Sequence, residues 1–385
     1  MFLKKLKENN PALLDYAFYA HQNGLIYPDT YLLDLDAITE NGRMMVASGK
    51  ENDVELFFML KQIGRNPIVA HRLMDIGFEG AVCVDFTEAL TMIKNDIPIG
   101  NVGHLVQTPK ACLPKILAAK PQVVTVYSLD KIREINAAAE KLHMVQPVLI
   151  RVTDPDSELY SGQIAGFHSS QLPEVLKEIE SLPNVSFGGL TVFPALLYNS
   201  KDTCIEPTVN MKAMDRARKI VDEAGYTDYL VNIPSANCMA SIPLVHKLGG
   251  NNAEPGHGLT GTTPLHAISD QPEKVGYVYV SEISHNYEEH AYCYGGGHYR
   301  RGHMANAMVG TSSNHAVWTS VTAPDLDSID YHFELGQNFK VGDTVAMCFR
   351  TQIFVTRSRV AVVEGLSSGQ PRIVGIFNHL GEREE

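Results

Sequence analysis

The sequence predicts an α/β protein, a (β/α)8 barrel followed by a C-terminal antiparallel β domain. Short apolar runs alternate with amphipathic, helix-like segments from about residue 55 to about residue 254. Most of the runs are continuous and β-branched, as in strands buried on both faces of a parallel sheet. After about residue 271 the pattern changes to strand-like stretches with Gly and Asp turns and few helices.

Three regions are expected: residues 1–45, a helix and strand packing with the β domain; residues 46–270, the barrel; and residues 271–385, the β domain. The opening "MFLKKLKENNPALLDYAF" lacks a long apolar centre and a small-residue cleavage site, so it reads as an amphipathic helix. "TYLLDLDAITENGRMM" (30–45) reads as a strand, then a helix. The barrel strands are "ELFFMLK" (55–61), "GAVCVD" (80–85), "IGNVGHL" (99–105), "QVVTVYS" (122–128), "PVLIRVT" (147–153), "FGGLTVF" (187–193), "YLVNIPS" (229–235) and "NNAEPGH" (251–257). Segments such as "NPIVAHRLMDIG", "TEALTMIKND" and "LPEVLKEIESL" supply crossover helices. Eight such units over some 200 residues fit a slightly short barrel. A doubly wound open sheet is the competing topology, but no glycine-rich dinucleotide fingerprint follows the first strand. The β domain is carried by "KVGYVYVSEISH", "HAYCYGGGHY", "DTVAMCFRTQIFVTRSRVAVVEG" and "PRIVGIF".

The 385 residues are 44% hydrophobic and 20% charged, enough apolar material for a sizeable core. A formal net charge of −12, without a basic run, argues against a nucleic-acid partner. No apolar stretch reaches bilayer-spanning length. The six cysteines are scattered without a CxxC pair, which suits a reduced cytosolic protein and gives no zinc-site spacing.

The chemistry gathers at the carboxyl ends of the strands, the face on which barrels of this kind keep their active sites. Lys61 ends the first run. A lysine there either snorkels to solvent or, partly desolvated, supplies a neutral amine able to attack an aldehyde. After the seventh run, "PSANCMAS" offers the hydroxyl of Ser235 and the amides of Ala236 and Asn237. After the eighth, "AEPGHGLTGTTP" offers Gly256, Gly258 and Gly261, where backbone N–H groups can approach a ligand. Two such adjacent turns form a phosphate cradle; the plainer alternative is helix capping by Ser235 and ordinary turn glycines. An aldehyde that carries a phosphate and meets a lysine on the first strand is pyridoxal 5′-phosphate (PLP).

Over essentially its whole length the chain resembles the alanine-racemase-like, fold-type III PLP enzymes, and within them the YhfX-like branch. "YLLDLDAITEN" resembles their opening strand and helix, and "MLKQIGRNP" the segment with the PLP lysine. "GHLVQTPK" (103–110) is similar to a stretch of the small barrel-only PLP proteins. "GGLTVFP" and "EPGHGLTG" are similar to strands six and eight, and "CYGGGHYRRGH" to the β-domain segment carrying the racemase tyrosine. The resemblance implies that Lys61 holds PLP and acts as one acid/base. It implies that Tyr294 is the base on the opposite ring face, entering from the partner subunit of a homodimer. Ser235, Gly256 and Gly258 would bind the phosphate through hydroxyl and backbone N–H, and His104, Asn237, Glu254 and His257 would also bind the cofactor. Arg65 either adds charge there or lies on the surface. His104 and Gln107 follow the third strand and would line the site.

The chain departs from the racemases where they place arginine at the pyridine nitrogen; here Glu254 stands. A carboxylate favours the protonated ring, a stronger electron sink. The related amino-acid decarboxylases carry Glu in an "EPGR" motif, in which His257 here replaces the arginine. Their Cys-Asp pair is absent, since Cys293 is followed by Tyr294. The His-x-Cys metal pair of the D-threonine aldolase group would fall near "CFRTQ", where Arg350 and Gln352 stand, so no metal is expected. Arg350 is cast as a substrate-carboxylate or structural arginine. His298 and His303 read as loop histidines, and Phe193 takes a position where relatives often have histidine.

The expected function is that of a cytosolic, homodimeric amino-acid racemase or epimerase acting by Cα deprotonation of an external aldimine. The alternatives are a PLP-dependent decarboxylase or lyase on the same fold, or a non-catalytic PLP-binding carrier.

Overall fold

A computed structural model describes residues 1–325 and 327–384. In chain order the strands are β1 (Thr30–Asp34), β2 (Glu55–Phe58), β3 (Gly80–Cys83), β4 (Ile99–Val102), β5 (Val123–Val126), β6 (Gln146–Arg151), β7 (Val185–Thr191), β8 (Leu196–Asn199), β9 (Cys204–Pro207), β10 (Leu230–Asn232), β11 (Asn252–Ala253), β12 (Tyr277–Tyr287), β13 (His290–Tyr294), β14 (Asn306–Gly310), β15 (Val317–Thr322), β16 (His332–Leu335), β17 (Thr344–Met347), β18 (Arg359–Glu364) and β19 (Arg372–Phe377). They fall into two compact units: one of Arg43–Met59 with Ala70–Gly256, the other of Met1–Gly42, Leu60–Val69 and the chain from His257 onward.

In the first unit β2, β3, β4, β5, β6, β7, β10 and β11 close into a barrel in that order, every pairing parallel. These are the eight apolar runs read from the sequence. Apolar side chains such as Phe57, Val82 and Val84 are buried together, with Leu105 and Leu230 packed against them. Helices between the strands begin at side-chain caps where the chain supplies them: Asp85 accepts from the Glu88 N–H, and Ser128 from the Lys131 N–H. In helix Leu129–Lys141 the buried positions are Ile132, Ile135, Ala138 and Ala139, the spacing of one helical face. Gly189 in β7 holds φ +144°, and a Cβ there would lie 2.1 Å from the Leu230 carbonyl oxygen of β10, so closure of β7 on β10 needs glycine.

The strands are shorter than the runs. The first run ends its ladder at Phe58, so Lys61 is not on the strand. Met59 still donates to the Pro255 carbonyl at 3.0 Å. Beyond it the N–H groups of Ile63 and Arg65 both turn back to the Leu60 carbonyl, closing a 3-10 turn Lys61–Ile63. The eighth run pairs only at Asn252–Ala253. A two-stranded antiparallel hairpin, β8 with β9, was not legible as strands in the sequence.

In the second unit nine strands form one sheet in the order β13, β16, β15, β14, β17, β12, β1, β18, β19, with β12 also paired to β13. β1 lies antiparallel to β12 and parallel to β18, and all five of its residues are buried. Tyr31 meets Tyr277, Tyr279 and Phe349 edge-on in the core of this sheet, and Tyr279 packs on Phe349 at a tilt. Helix Pro11–Gln22 is fixed to the same sheet by His21, whose ring nitrogens lie 2.8 Å from Thr344 Oγ1 and 3.2 Å from a Glu282 oxygen. Among the described residues no helix is long and apolar enough to cross a membrane.

Candidate active site

The barrel carries a buried polar network that begins at single polar residues inside apolar strands. Glu254, just past β11, accepts at Oε1 from Asn101 Nδ2 (3.0 Å, β4) and Asn232 Nδ2 (3.1 Å, β10). Asn101 Oδ1 accepts from Thr125 Oγ1 (2.7 Å, β5), and Asn232 Oδ1 from Thr191 Oγ1 (2.6 Å, β7). Asn232 also donates to Asn252 Oδ1 at 2.6 Å. The Glu254 backbone N–H is held at 2.9 Å by Asn237 Oδ1, whose own amide bonds the Ile233 carbonyl. All these side chains are buried. Burying a carboxylate costs several kcal/mol unless charge-assisted hydrogen bonds hold it, which is what the two asparagine amides supply.

His104 sits beside this carboxylate, Nε2 3.9 Å from Glu254 Oε2. Its ring meets the Phe193 ring edge-on at 5.1 Å, and its backbone carbonyl accepts from the Tyr127 hydroxyl. Gln107 braces the turn below, bonding the Gly103 and Thr125 carbonyls. Ser235 donates to the Leu196 carbonyl at 2.7 Å and does not cap a helix; the next helix begins at Ile242 after Ser241. Ser235 (φ 72°) and Ala236 (φ 49°) are both left-handed, a costly pair for two non-glycine residues.

In the second unit Lys61 is half-buried at the start of its 3-10 turn. The turn is gripped on two sides. A Cβ on Gly64 (φ +73°) would lie 2.9 Å from Val360 Cγ2 and 3.2 Å from Ile353 Cγ2, and a Cβ on Gly381 would lie 2.4 Å from the Arg65 carbonyl oxygen. Arg65 is buried, not on the surface, its guanidinium over the Phe354 ring at 5.3 Å. Asn66 then caps helix Pro67–Asp75 through the Ile68 and Val69 N–H groups.

His257 receives Arg350 Nε at Nε2 (3.3 Å), with Gln352 Nε2 3.5 Å from the same atom. Burial and the Arg350 and Lys61 cations hold its imidazole well below the ordinary pKa, so it is neutral at pH 7 and Nε2 is the acceptor. The position that carries arginine in the decarboxylase motif is therefore an uncharged ring, but one that touches a guanidinium 93 residues further along. Tyr294 closes β13, 39% exposed, its ring 5.9 Å from that of His332 on β16. The segment after it is held by Asp330, which accepts from the Gly296 and His298 N–H groups. Burial lowers the pKa of His298.

Sequence reasoning named Glu254, His104, Ser235 and Asn237, which the barrel unit brings onto one network or its margins. It named Lys61, Arg65, His257, Gly258, Tyr294 and Arg350, which belong to the other unit. It missed Asn101, Thr125, Thr191, Asn232, Asn252 and Arg151. For Asn101, Thr125, Asn232, Arg151 and Thr191 the signal was present as a polar residue inside an apolar stretch: "IGNV", "VVTV", "LVN", "LIR" and "LTVF"; Asn252 lies in the polar "NNAEPGH" and had no such signal.

Residues 33–264 match the family described as alanine racemase, N-terminal domain, and residues 278–373 match the YhfX-like C-terminal domain. The chain belongs to the alanine racemase N-terminal domain family. It is 42% identical over 382 residues to a protein of Escherichia coli (strain K12) described as uncharacterized protein YhfX, covering 99% of each chain. Among solved structures of the alanine racemase fold, it is similar to alanine racemase of Clostridium difficile 630 (TM-score 0.64, 17% identity, 91% of this chain and 98% of that one). D-threo-3-hydroxyaspartate dehydratase of Delftia sp. HT23 gives TM-score 0.67 at 13% identity, covering 90% and 97%. D-threonine aldolase of Filomicrobium marinum gives TM-score 0.63 at 15% identity, covering 91% and 95%. Likeness at these identities concerns the fold. Proteins of the alanine racemase fold depend on PLP. The donor chemistry of the barrel fits that group's ring: a buried carboxylate, fixed at Oε1 by two amides, suits a protonated pyridine nitrogen. Among the described residues no group of three His, Cys, Asp or Glu is arranged to hold a metal ion.

Proposed function

We propose that the protein is a homodimeric PLP-dependent enzyme that exchanges the Cα proton of an amino acid, a racemase or epimerase. The observation that carries the cofactor reading is the Glu254 carboxylate fixed by Asn101 and Asn232. PLP, when bound, supplies an electron sink for the carbanion at Cα. Lys61 would hold it through its amine and move a proton at Cα on one face. Glu254 would keep a proton on the ring nitrogen, and the network behind it keeps that carboxylate in one orientation. The Ser235–Ala236 turn and the Gly256–Gly258 turn would receive the phosphate through backbone N–H groups. Arg350, beside the neutral His257, would supply the positive charge that the motif itself lacks. His104 and Phe193 would flank the ring, the phenylalanine as an apolar contact.

Tyr294 would separate the reaction types. Its side chain is exposed, as suits a residue that serves a second copy. A phenol opposite the lysine returns the proton from the far face, which inverts the centre. Decarboxylation or elimination at the same carbon is the chemical competitor, and solved structures of the fold include an aldolase and a dehydratase.

The test is an absorption spectrum of the purified protein with added PLP, then borohydride reduction and mass mapping. A visible band and a reduced adduct on Lys61 support the cofactor assignment; a colourless protein that takes up none overturns it. Chirality loss from D- and L-amino acids without carbon dioxide or ammonia supports racemisation. Release of either as the main product replaces it.

A further inference from the structure

The last residue of β6 is a buried arginine for which the proposed reaction so far has no use. Arg151 is 1% exposed. Its Nη2 donates to the Gln163 carbonyl at 2.9 Å, and Nη1 lies 3.5 Å from the Tyr127 hydroxyl. Nε has no hydrogen-bond partner, and no carboxylate pairs with the group among the described residues. Two rings partly compensate the charge, Tyr127 at 5.2 Å and Phe193 at 5.8 Å from the guanidinium carbon. Phe193 is the ring that also meets His104 beside Glu254.

A guanidinium keeps its charge and offers five N–H donors. Buried charges in proteins are paired or bonded throughout, because an uncompensated one costs several kcal/mol. Here one strong hydrogen bond and two ring faces serve a group able to make five. Its place, at the carboxyl end of a barrel strand, is where (β/α)8 enzymes hold their substrates. The planar fork matches a carboxylate in two-point contact. The loop that follows, 152–168, folds back so that the Gln163 carbonyl holds one Nη and Tyr160 packs on Phe193 at 5.9 Å, which keeps water from the guanidinium.

We propose that Arg151 is the anion-binding residue of this barrel and receives a carboxylate of the substrate. The inference deepens the amino-acid reading above and rests on it for the identity of the substrate. The anion site itself does not depend on the cofactor. The carboxylate is either that of the α-carbon or one in the side chain, and the two sources separate experimentally.

Wild type, R151Q and R151K are titrated calorimetrically with succinate, D- and L-aspartate, D- and L-alanine and alanine methyl ester, with and without added PLP. Succinate has no amine, so it reports the anion site alone. R151Q is expected to bind succinate about 10- to 100-fold more weakly, the worth of a charge-assisted pair, with R151K intermediate. If aspartate outbinds alanine and only that advantage is lost in R151Q, the side-chain carboxylate is the partner. If alanine itself weakens and its methyl ester does not bind, the α-carboxylate is. Equal succinate and aspartate affinity in wild type and R151Q overturns the proposal. So does an R151Q protein that melts lower but binds these anions unchanged, the signature of a purely structural arginine. If R151Q does not fold, phenylglyoxal modification of wild type mapped by mass spectrometry serves instead: succinate is expected to protect Arg151, and unprotected Arg151 overturns the assignment. The visible band at Lys61 is read on the same samples. A band with Arg151-independent anion binding sinks this inference alone, and Arg151-dependent succinate binding without a band sinks the cofactor reading alone.

Discussion

Glu254 offers the sharpest separation of structure from chemistry. Replacing it by alanine removes the acceptor of two buried amides, Asn101 Nδ2 and Asn232 Nδ2. Each orphaned donor costs about 1–3 kcal/mol, so E254A is expected to lose roughly 2–6 kcal/mol of stability before any cavity is counted. Both asparagines also accept from threonines, Thr125 and Thr191, so they cannot turn away without breaking a second bond each. E254Q behaves differently. Its amide oxygen can keep both asparagine bonds while its NH2 faces His104, at the site of the present 3.9 Å approach. It loses charge assistance, roughly 1 kcal/mol per bond, but no longer buries a charge, which offsets the loss. Urea unfolding should therefore place E254Q within about 1–2 kcal/mol of wild type and E254A well below it. Turnover should fall in E254Q even though it folds, because a neutral amide cannot hold the ring nitrogen protonated. An E254A protein as stable as wild type would refute the network argument. An E254Q protein with full activity would refute the ring-nitrogen role.

Tyr294 is exposed and meets the His332 ring, so Y294F should leave stability within about 0.5 kcal/mol while abolishing chirality loss and sparing the Lys61 adduct; unchanged racemisation removes it from the mechanism. Burial pushes the Asp29 carboxyl up to about 6, against the lowering effects of Ser358, Tyr279 and Arg357. The folded state then holds a proton that the unfolded chain releases near pH 4, so stability falls as pH rises from about 4 to about 6 and stays flat above. D29N should lack that fall and exceed wild type at pH 7 by at most about 3 kcal/mol, seen as a difference between the two stability–pH curves; parallel curves would show that Asp29 is not buried as described. Gly296 lies against the same carboxylate, where a Cβ would come within 1.9 Å of Asp29 Oδ2 at φ +125°, so G296A should melt several degrees lower and disturb the segment that follows Tyr294. An unchanged melting temperature would mean that this segment yields freely.

The order of elements was legible because burial on two faces leaves a continuous apolar, β-branched run, and the chain repeats that signature at most of the barrel strands between β2 and β11. What the runs did not mark was where each ladder stops. "ELFFMLK" is apolar beyond Phe58, but Met59 and Leu60 are buried after the strand has ended, and the turn that presents Lys61 is set by Gly64 and by the contacts of Ile353, Val360 and Gly381 with it. Arg65 reads as a surface charge in a "GRNP" turn, yet it is buried, because Phe354, almost 290 positions away, covers it.

By itself the sequence determined the eight strand–helix units, the β-rich final third and the carboxylate in place of arginine at Glu254. Hydrophobic period and turn chemistry are local, so they survive in one dimension. Tertiary structure alone decided that six buried polar side chains join into one network, that Arg350 stands beside His257, that β1 enters the sheet between β12 and β18, and that Arg151 is a buried cation with no carboxylate paired to it among the described residues. Each of these joins positions tens to hundreds of residues apart. Closing such loops is a property of the folded chain, and a lone polar residue in an apolar run does not announce its partner until the strands have met.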